Sequence, residues 1–203
     1  MEKEFKYHIE DIAIFDAIAS DPEIETIRSE DIESIDMTAA YFDTLEQDFR
    51  NQGIAYRIRH ENERVTATIK WDVNVDSGFH VRKEFNLVIN DERFAENPDI
   101  DIFKSSDVYD VLYRAAGDKR LVKIISMDYT RKQFKIDTGK SISCLSMDKG
   151  FINHIDGHAI PVQEIEIEWY YGDEEDFIKL ADMIQKKYSL VADNTSKLQR
   201  AFE

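Results

Sequence analysis

A single cysteine, Cys144, stands in 203 residues. No internal disulfide can hold the fold, and no Cys/His spacing suits zinc. Proline and glycine are scarce, three and seven in number. No Ser/Gly/Pro-rich stretch divides the chain into halves that could each bury a core, which predicts a single domain over 1–203 and no internal repeat. No apolar run approaches the roughly 18 to 20 residues that crossing a bilayer takes. The start, Met1-Glu2-Lys3-Glu4, lacks the apolar core of a signal peptide. A cytoplasmic protein with no membrane partner is expected. Basic charge is also in short supply: 26 Lys and Arg face 42 Asp and Glu, a formal charge of −16. That field repels nucleic acid and anionic lipid, so any polyanionic ligand must be recognised locally.

What the chain does have is apolar residues, 42% of the total, in patterns that alternate. Strand-like alternation runs over 2–9, 35–43, 54–60, 64–71, 80–89, 121–136, 142–149 and 161–170, the spacing of an antiparallel meander. Helical periodicity appears near 10–19, 107–116 and 174–188, the last placing Phe177, Leu180, Ala181, Ile184 and Tyr188 on one stripe.

Side chains at i, i+2 and i+4 of a strand share a face. Glu2, Glu4, Lys6 and His8 therefore oppose Phe5, Tyr7 and Ile9, and Arg57 and Arg59 oppose Tyr56 and Ile58. Thr66, Thr68 and Lys70 oppose Val65, Ala67, Ile69 and Trp71. Arg82, Glu84 and Asn86 oppose Val81, Phe85 and Leu87, and Glu164, Glu166 and Glu168 oppose Ile165, Ile167 and Trp169. In an ordinary sheet the charged faces meet water. Here the signs sort by strand, acids on the first and last and Arg/Lys pairs on the middle ones, whereas a surface selected for solubility mixes them. The preferred architecture is α+β: a closed eight-stranded antiparallel β-barrel with one polar lumen and helices packed outside.

Convergence of those faces would gather a basic set of Lys6, Arg57, Arg59, Lys70, Arg82, Lys123, Arg131 and Lys135. The acidic set would be Glu2, Glu4, Glu84, Asp148, Glu164, Glu166 and Glu168. Arginine forks and lysine point charges in one cavity suit a ligand with several phosphates. Crowded carboxylates call for a cation, and oxygen-only clusters select Mg²⁺ or Mn²⁺. Together these parts serve phosphoryl transfer, which needs positioning and charge stabilisation more than covalent catalysis.

Glu2-Lys3-Glu4-Phe5-Lys6 resembles the E-x-E-x-K opening of CYTH domains, the triphosphate tunnel fold of inorganic triphosphatases, thiamine triphosphatases and class IV adenylate cyclases. It is followed in family order by Tyr41-Phe42-Asp43-Thr44, Gly53 to Arg59, Thr68-Ile69-Lys70, Arg82-Lys83-Glu84, Tyr129-Thr130-Arg131-Lys132, Leu145 to Gly150, Glu164 to Glu168, and Ser196-Lys197-Leu198-Gln199-Arg200. The resemblance implies metal roles for Glu2, Glu4, Asp148, Glu164, Glu166 and Glu168. It implies triphosphate binding by Lys6, Arg57, Arg59, Lys70, Arg82, Arg131, Lys197 and Arg200, with Lys123 added by strand parity. The catalytic set is then Lys6, Arg57, Arg59, Lys70, Glu84 and Arg131. Many relatives read R-x-E-x-E where this chain has Arg82-Lys83-Glu84-Phe85-Asn86, so one carboxylate is replaced by an amide.

The expected activity is metal-dependent hydrolysis of a small triphosphate, inorganic tripolyphosphate first. ATP cyclisation, thiamine triphosphate hydrolysis and non-catalytic polyphosphate binding are the alternatives. Homodimerisation follows only by analogy with the family. Cys144 is expected to pack or line the lumen rather than act as a nucleophile, and Trp71 and Trp169 to pack between barrel and helices.

Overall fold

The computed structural model describes residues 1–90, 94 and 97–202. Its strands are β1 (Glu2–His8), β2 (Glu33–Asp43), β3 (Ile54–Glu61), β4 (Arg64–Asp76), β5 (Phe79–Ile89), β6 (Val122–Asp137), β7 (Ser141–His154) and β8 (Ala159–Gly172). They pair antiparallel in the order β5-β4-β3-β2-β6-β7-β8-β1, and β1 returns to β5, which closes the barrel. A two-residue strand β9 (Val191–Ala192) pairs antiparallel with Tyr7 and His8 at the end of β1. Each predicted strand is present, most of them longer by one to five residues at an end. The reason is mutual: a closed barrel has no edge, so every ladder continues until its partner turns away.

The helices are α1 (Ala13–Ala19), α2 (Pro22–Ile27), α3 (Val108–Ala116), α4 (Glu174–Tyr188) and α5 (Lys197–Arg200). Helix α2 was not foreseen, although its start is written locally. Asp21 accepts a bond from the Glu23 amide at 2.9 Å, and Pro22 fills the first helical position. None of the described helices is long and apolar enough to cross a membrane.

Two apolar clusters lie between barrel and helices. In one, Tyr7, Ile165 and Ile167 on the outer barrel face meet Phe15 and Ile18 of α1 and Phe177, Leu180 and Ile184 of α4. Trp169 packs at its margin with the Lys3 ammonium over its ring. In the other, Tyr56, Ile58 and Ile69 meet Phe103, Val108, Leu112 and Ala116, with Trp71 alongside. Each fully buried side chain of the Leu, Ile or Phe type contributes about 1.5–3 kcal/mol relative to exposure, so these faces fix which side of each strand turns inward.

The lumen departs from expectation in one respect: it is polar over only part of its length. Ile35, Met37, Ala39 and Tyr41 of β2 also point inward, as the pairing of Ala39 with Arg59 and Met127 requires. They pack with Ile125, Met127, Ile152 and Val162, and with Leu198, Ala201 and Phe202 from the C-terminal segment. An empty hydrocarbon-lined bore forfeits dispersion contacts, so that end is filled with side chains and covered by α5.

Gly150 permits the close approach of β7 to β6. A Cβ there would stand 2.1 Å from the Asp128 carbonyl oxygen and 2.5 Å from the Tyr129 Cα. Both obstacles are backbone or backbone-bound, so neither can swing aside. Gly150→Ala is expected to destabilise the fold by about 1–3 kcal/mol, read from the urea midpoint. An unchanged midpoint would mean that the two strands lie further apart than described.

Candidate functional site

Register assembles the acidic centre. Asp148 pairs with Glu164, Ser146 with Glu166, Lys6 with Glu166, and Arg131 with Asp148. Residues paired across strands turn to the same face, so four strands deliver their charged side chains to one point. Asp148, Glu164 and Glu166, all buried, each offer an oxygen, and these oxygens lie within 4.8 Å of one another. Such crowding is tolerable only with cations present. Arg131 forks onto Asp148 at 2.6 and 2.7 Å and reaches Glu166 at 2.7 Å. The Lys197 ammonium lies 2.8 Å from Asp148 and 2.9 Å from Glu166 and touches Glu164. Arg200 binds Glu164 at 2.8 Å, and Lys6 stands 3.5 Å from Glu166. Burial pushes the Asp148 and Glu166 carboxyls up, but Arg131 and Lys197 overcome it and hold both below the usual carboxylate range.

A second acidic group adjoins the first. Glu2 accepts from Lys70 at 2.8 and 2.9 Å, and Lys70 also meets Glu84 at 3.0 Å. Glu4 is bound by Arg82 at 2.6 Å, and Glu168 pairs with Glu4 across β8 and β1. Charge is less well matched here. Burial, then Glu2 and Glu4, push Glu168 up to about 7. Glu2 is also raised by its burial, against the pull of Lys70. Burial likewise favours the neutral form of Glu84, but Lys70 and Arg57 outweigh it and hold this carboxyl at about 2. The donors are all oxygen, as hard divalent ions require, and the raised Glu168 marks negative charge still unneutralised.

These groups line a cavity of about 490 Å³ that also takes in Arg57, Arg59, Tyr41, Tyr129, Asn86 and Arg64. Arg57 and Arg59 have capacity to spare, because the Nε of each is buried without a hydrogen-bond partner among the described residues, as is Nη1 of Arg200. Arg59 is held from one side by Glu61 at 2.9 Å. The Thr68 hydroxyl beside Arg57 donates to Asn86 Oδ1 at 2.7 Å, so the amide that stands in for a carboxylate orients the floor beneath the arginine.

The structure draws Lys6, Arg57, Arg59, Lys70, Arg82 and Arg131 into the lumen with Glu2, Glu4, Glu84, Asp148, Glu164, Glu166 and Glu168. Two residues predicted to join them stand elsewhere. A bulge between Tyr41 and Phe42 pairs Lys123 with Phe42, whose side faces outward. Lys123 is exposed and lines a separate outer groove of about 610 Å³ with Asp99, Asp118 and Lys119. Lys135 keeps inward parity but lies where β6 leaves the barrel, and its ammonium turns to Glu30 at 2.7 Å. Lys197 and Arg200, assigned to the triphosphate, are engaged by the carboxylates instead. His8 is exposed, and burial pushes the inward-facing Cys144 thiol up, which disfavours a nucleophilic thiolate.

Two residues carry roles that the sequence patterns do not assign. His80, fully buried, receives a bond from Arg82 at its Nδ1 at 2.7 Å and faces the Asp193 carbonyl with Nε2 at 2.8 Å. Burial and Arg82 push it down, so it stays neutral, with the Nε2 proton donated to Asp193. It thereby fixes the arginine that holds Glu4. Its place in the alternation, two before Arg82, was the available signal. Asp43 gathers the amides of Thr44, Phe49 and Arg50 at 2.7, 2.9 and 3.0 Å, shaping the turn that leads into β3.

A pH dependence follows. Glu168 holds its proton up to about 7 when folded, against 4.5 ordinarily. The folded state is therefore the more protonated across that window, and stability falls as pH rises through it. Metal-free protein is expected to lose about 2–3 kcal/mol between those limits through this residue, and Glu168→Gln to flatten the loss. Denaturant melts at pH 5, 6 and 8 check it, and equal slopes in both proteins would refute the placement of Glu168.

The CYTH domain profile matches residues 1–202. An inorganic triphosphatase from Haemophilus influenzae is 25% identical over 163 residues, which is 80% of this chain but 44% of that relative, so the chain spans less than half of its length. Among solved structures, a protein from Hippeastrum described as an adenylyl cyclase with a dominant triphosphatase activity superposes with a TM-score of 0.74 at 16% identity, covering 100% and 97% of the two chains. A protein from Bacillus halodurans described as an adenylate cyclase gives 0.62 at 22% identity with both chains fully covered, 100% each. The RNA triphosphatase domain of a mimivirus capping enzyme gives 0.55 at 11% identity, covering 93% of this chain and 89% of that one. At such identities these likenesses speak for the fold. With the profile match over nearly the whole chain, they lead to one conclusion: this chain belongs to the CYTH domain family.

Proposed function

We propose that the chain hydrolyses a small triphosphate, inorganic tripolyphosphate first, with Mg²⁺ or Mn²⁺ held by carboxylates drawn from Glu2, Glu4, Asp148, Glu164, Glu166 and Glu168. The observation that carries this reading is the pair Arg57 and Arg59, whose buried Nε atoms lack partners in the same cavity that the carboxylates line. An anion with several oxygens satisfies both forks, and charge-assisted bonds of this kind are roughly twice as strong as neutral ones. The donors are fixed before the ligand arrives: Thr68 and Asn86 support Arg57, and Glu61 holds Arg59. Fixed donors need no reorganisation as charge spreads over the departing phosphate. When bound, a divalent ion supplies Lewis-acid polarisation of phosphate oxygens and lowers the pKa of water. Lys6, 3.5 Å from Glu166, and Lys70, 2.8 Å from Glu2, line the same cavity and add two further point charges to it. Tripolyphosphate ranks first because the cavity lining is dominated by charge, with its apolar end filled by side chains.

The testing assay is release of phosphate and of cyclic AMP from tripolyphosphate, ATP and thiamine triphosphate, each with Mg²⁺, Mn²⁺ or EDTA. Metal-dependent phosphate release, fastest on tripolyphosphate, is expected. Cyclic AMP would transfer the reading to ATP cyclisation. Arg59→Ala and Lys6→Ala are expected to lower kcat/KM by about 10²–10³-fold, and Glu166→Ala to abolish metal-dependent turnover with circular dichroism unchanged. Full activity in Glu166→Ala would sink the metal assignment.

A further inference from the structure

Lys197 does not sit where a phosphate-binding lysine should. Its ammonium lies inside the carboxylate triad, 2.8 Å from Asp148 Oδ2 and 2.9 Å from Glu166 Oε1, and in contact with Glu164. The side chain is buried. The ammonium therefore sits in a nest of carboxylate oxygens that themselves lie within 4.8 Å of one another. A Mg²⁺ or Mn²⁺ ion drawing on those oxygens needs them at about 2.0–2.2 Å, so ion and ammonium, held by the same oxygens, would stand within a few ångströms of one another. Two like charges within one coordination sphere would also repel strongly in a site screened from water.

We infer that the Lys197 ammonium is the resident cation of the Asp148, Glu164 and Glu166 triad, and that it and a divalent metal ion are mutually exclusive occupants. The inference rests on reading the triad as a metal seat. It extends to α5, because the polar ties of this helix to the barrel wall run to the same carboxylates. Lys197 binds all three, and Arg200 binds Glu164 at 2.8 Å. The other polar partner of Arg200, Asp193 at 2.6 Å, belongs to the same C-terminal segment. A metal ion that takes the triad removes these anchors together and leaves α5 to the apolar contacts of Leu198, Ala201 and Phe202. Helix α5 has four residues and its own capping box at Ser196 and Gln199, so it can shift as a unit without breaking a barrel ladder.

The test is Mn²⁺ binding without any phosphate, followed by the electron paramagnetic resonance of free Mn²⁺, in the full chain and in Lys197→Met. The Asp148-dependent binding step, defined as the one lost in Asp148→Asn, is expected to tighten by about tenfold or more in Lys197→Met, since a broken buried ion pair costs several kcal/mol. In the unsubstituted chain, saturating Mn²⁺ is expected to raise amide hydrogen exchange over 197–202 while β6 to β8 stay protected. This second measurement needs no variant and stands even if Lys197→Met folds poorly. If an Asp148-dependent step exists but has the same affinity in Lys197→Met, and exchange over 197–202 is unmoved, the inference is overturned and the metal seat survives. If Mn²⁺ binding is indifferent to Asp148→Asn, the metal seat falls and the inference with it.

Discussion

Charge buried in a closed bore is the constraint on which the rest of the molecule depends. A carboxylate removed from water without a partner costs several kcal/mol, and a cluster of them is prohibitive. The barrel answers by setting opposite charges against one another within the bore: Glu4 against Arg82, Glu2 and Glu84 against Lys70, Asp148 and Glu166 against Arg131. Register is consequently set twice, once by the apolar outer faces that pack under α1, α3 and α4 and once by the ion pairs within. A one-residue slip of any strand would expose apolar side chains and strand charges in the same step.

Charge matching inside also reconciles an acidic chain with the polyanionic substrate proposed for it. The formal charge is −16, yet the lumen holds Lys6, Arg57, Arg59, Lys70, Arg82, Arg131, Lys197 and Arg200 in near balance with its carboxylates. The excess acid therefore belongs to the outside, where water and salt screen it beyond about a Debye length. Attraction for the proposed triphosphate would be local, carried by the Nε donors of Arg57 and Arg59 that no carboxylate has claimed. Long-range steering plays against a triphosphate, and a divalent counter-ion arriving with it would lessen that opposition.

How much of this was legible in the sequence differs by kind of signal. Period-two alternation gave away every barrel strand and the inward side of Glu2, Arg57, Lys70, Arg82 and Glu166, because a two-sided strand has no other way to sort its residues. Parity failed at Lys123, where one bulge between Tyr41 and Phe42 reversed the facing, and a bulge leaves no mark in composition. It also said nothing about how far a lumen stays polar: Met37, Met127 and Ile152 look like core residues of any sheet, and only register shows that their core is the bore itself. His80 shared the inward parity of Arg82, but a lone histidine carries no sign of whether it pairs with an arginine. Lys197 was recognised as part of the C-terminal motif and assigned to phosphate, since sequence cannot tell a cation that awaits an anion from one that already has three.

The two acidic groups are consequently not equivalent. Lys6, Arg131, Lys197 and Arg200 saturate the triad, and its Asp148 and Glu166 stay ionised with ease. Around Glu2, Glu4 and Glu168 the cations are Lys70 and Arg82, with Lys6 shared at 4.0 Å from Glu4, and the surplus of negative charge appears as a Glu168 carboxyl pushed up to about 7. On the proposed metal role, a divalent ion would gain most where neutralisation is incomplete, which is the Glu168 side. Occupancy of the triad would come second, since it must first evict an ammonium. Such an order would give one cavity an ion bound readily and another bound only when α5 yields. The balance between them is set by a single lysine side chain on a four-residue helix rather than by the barrel.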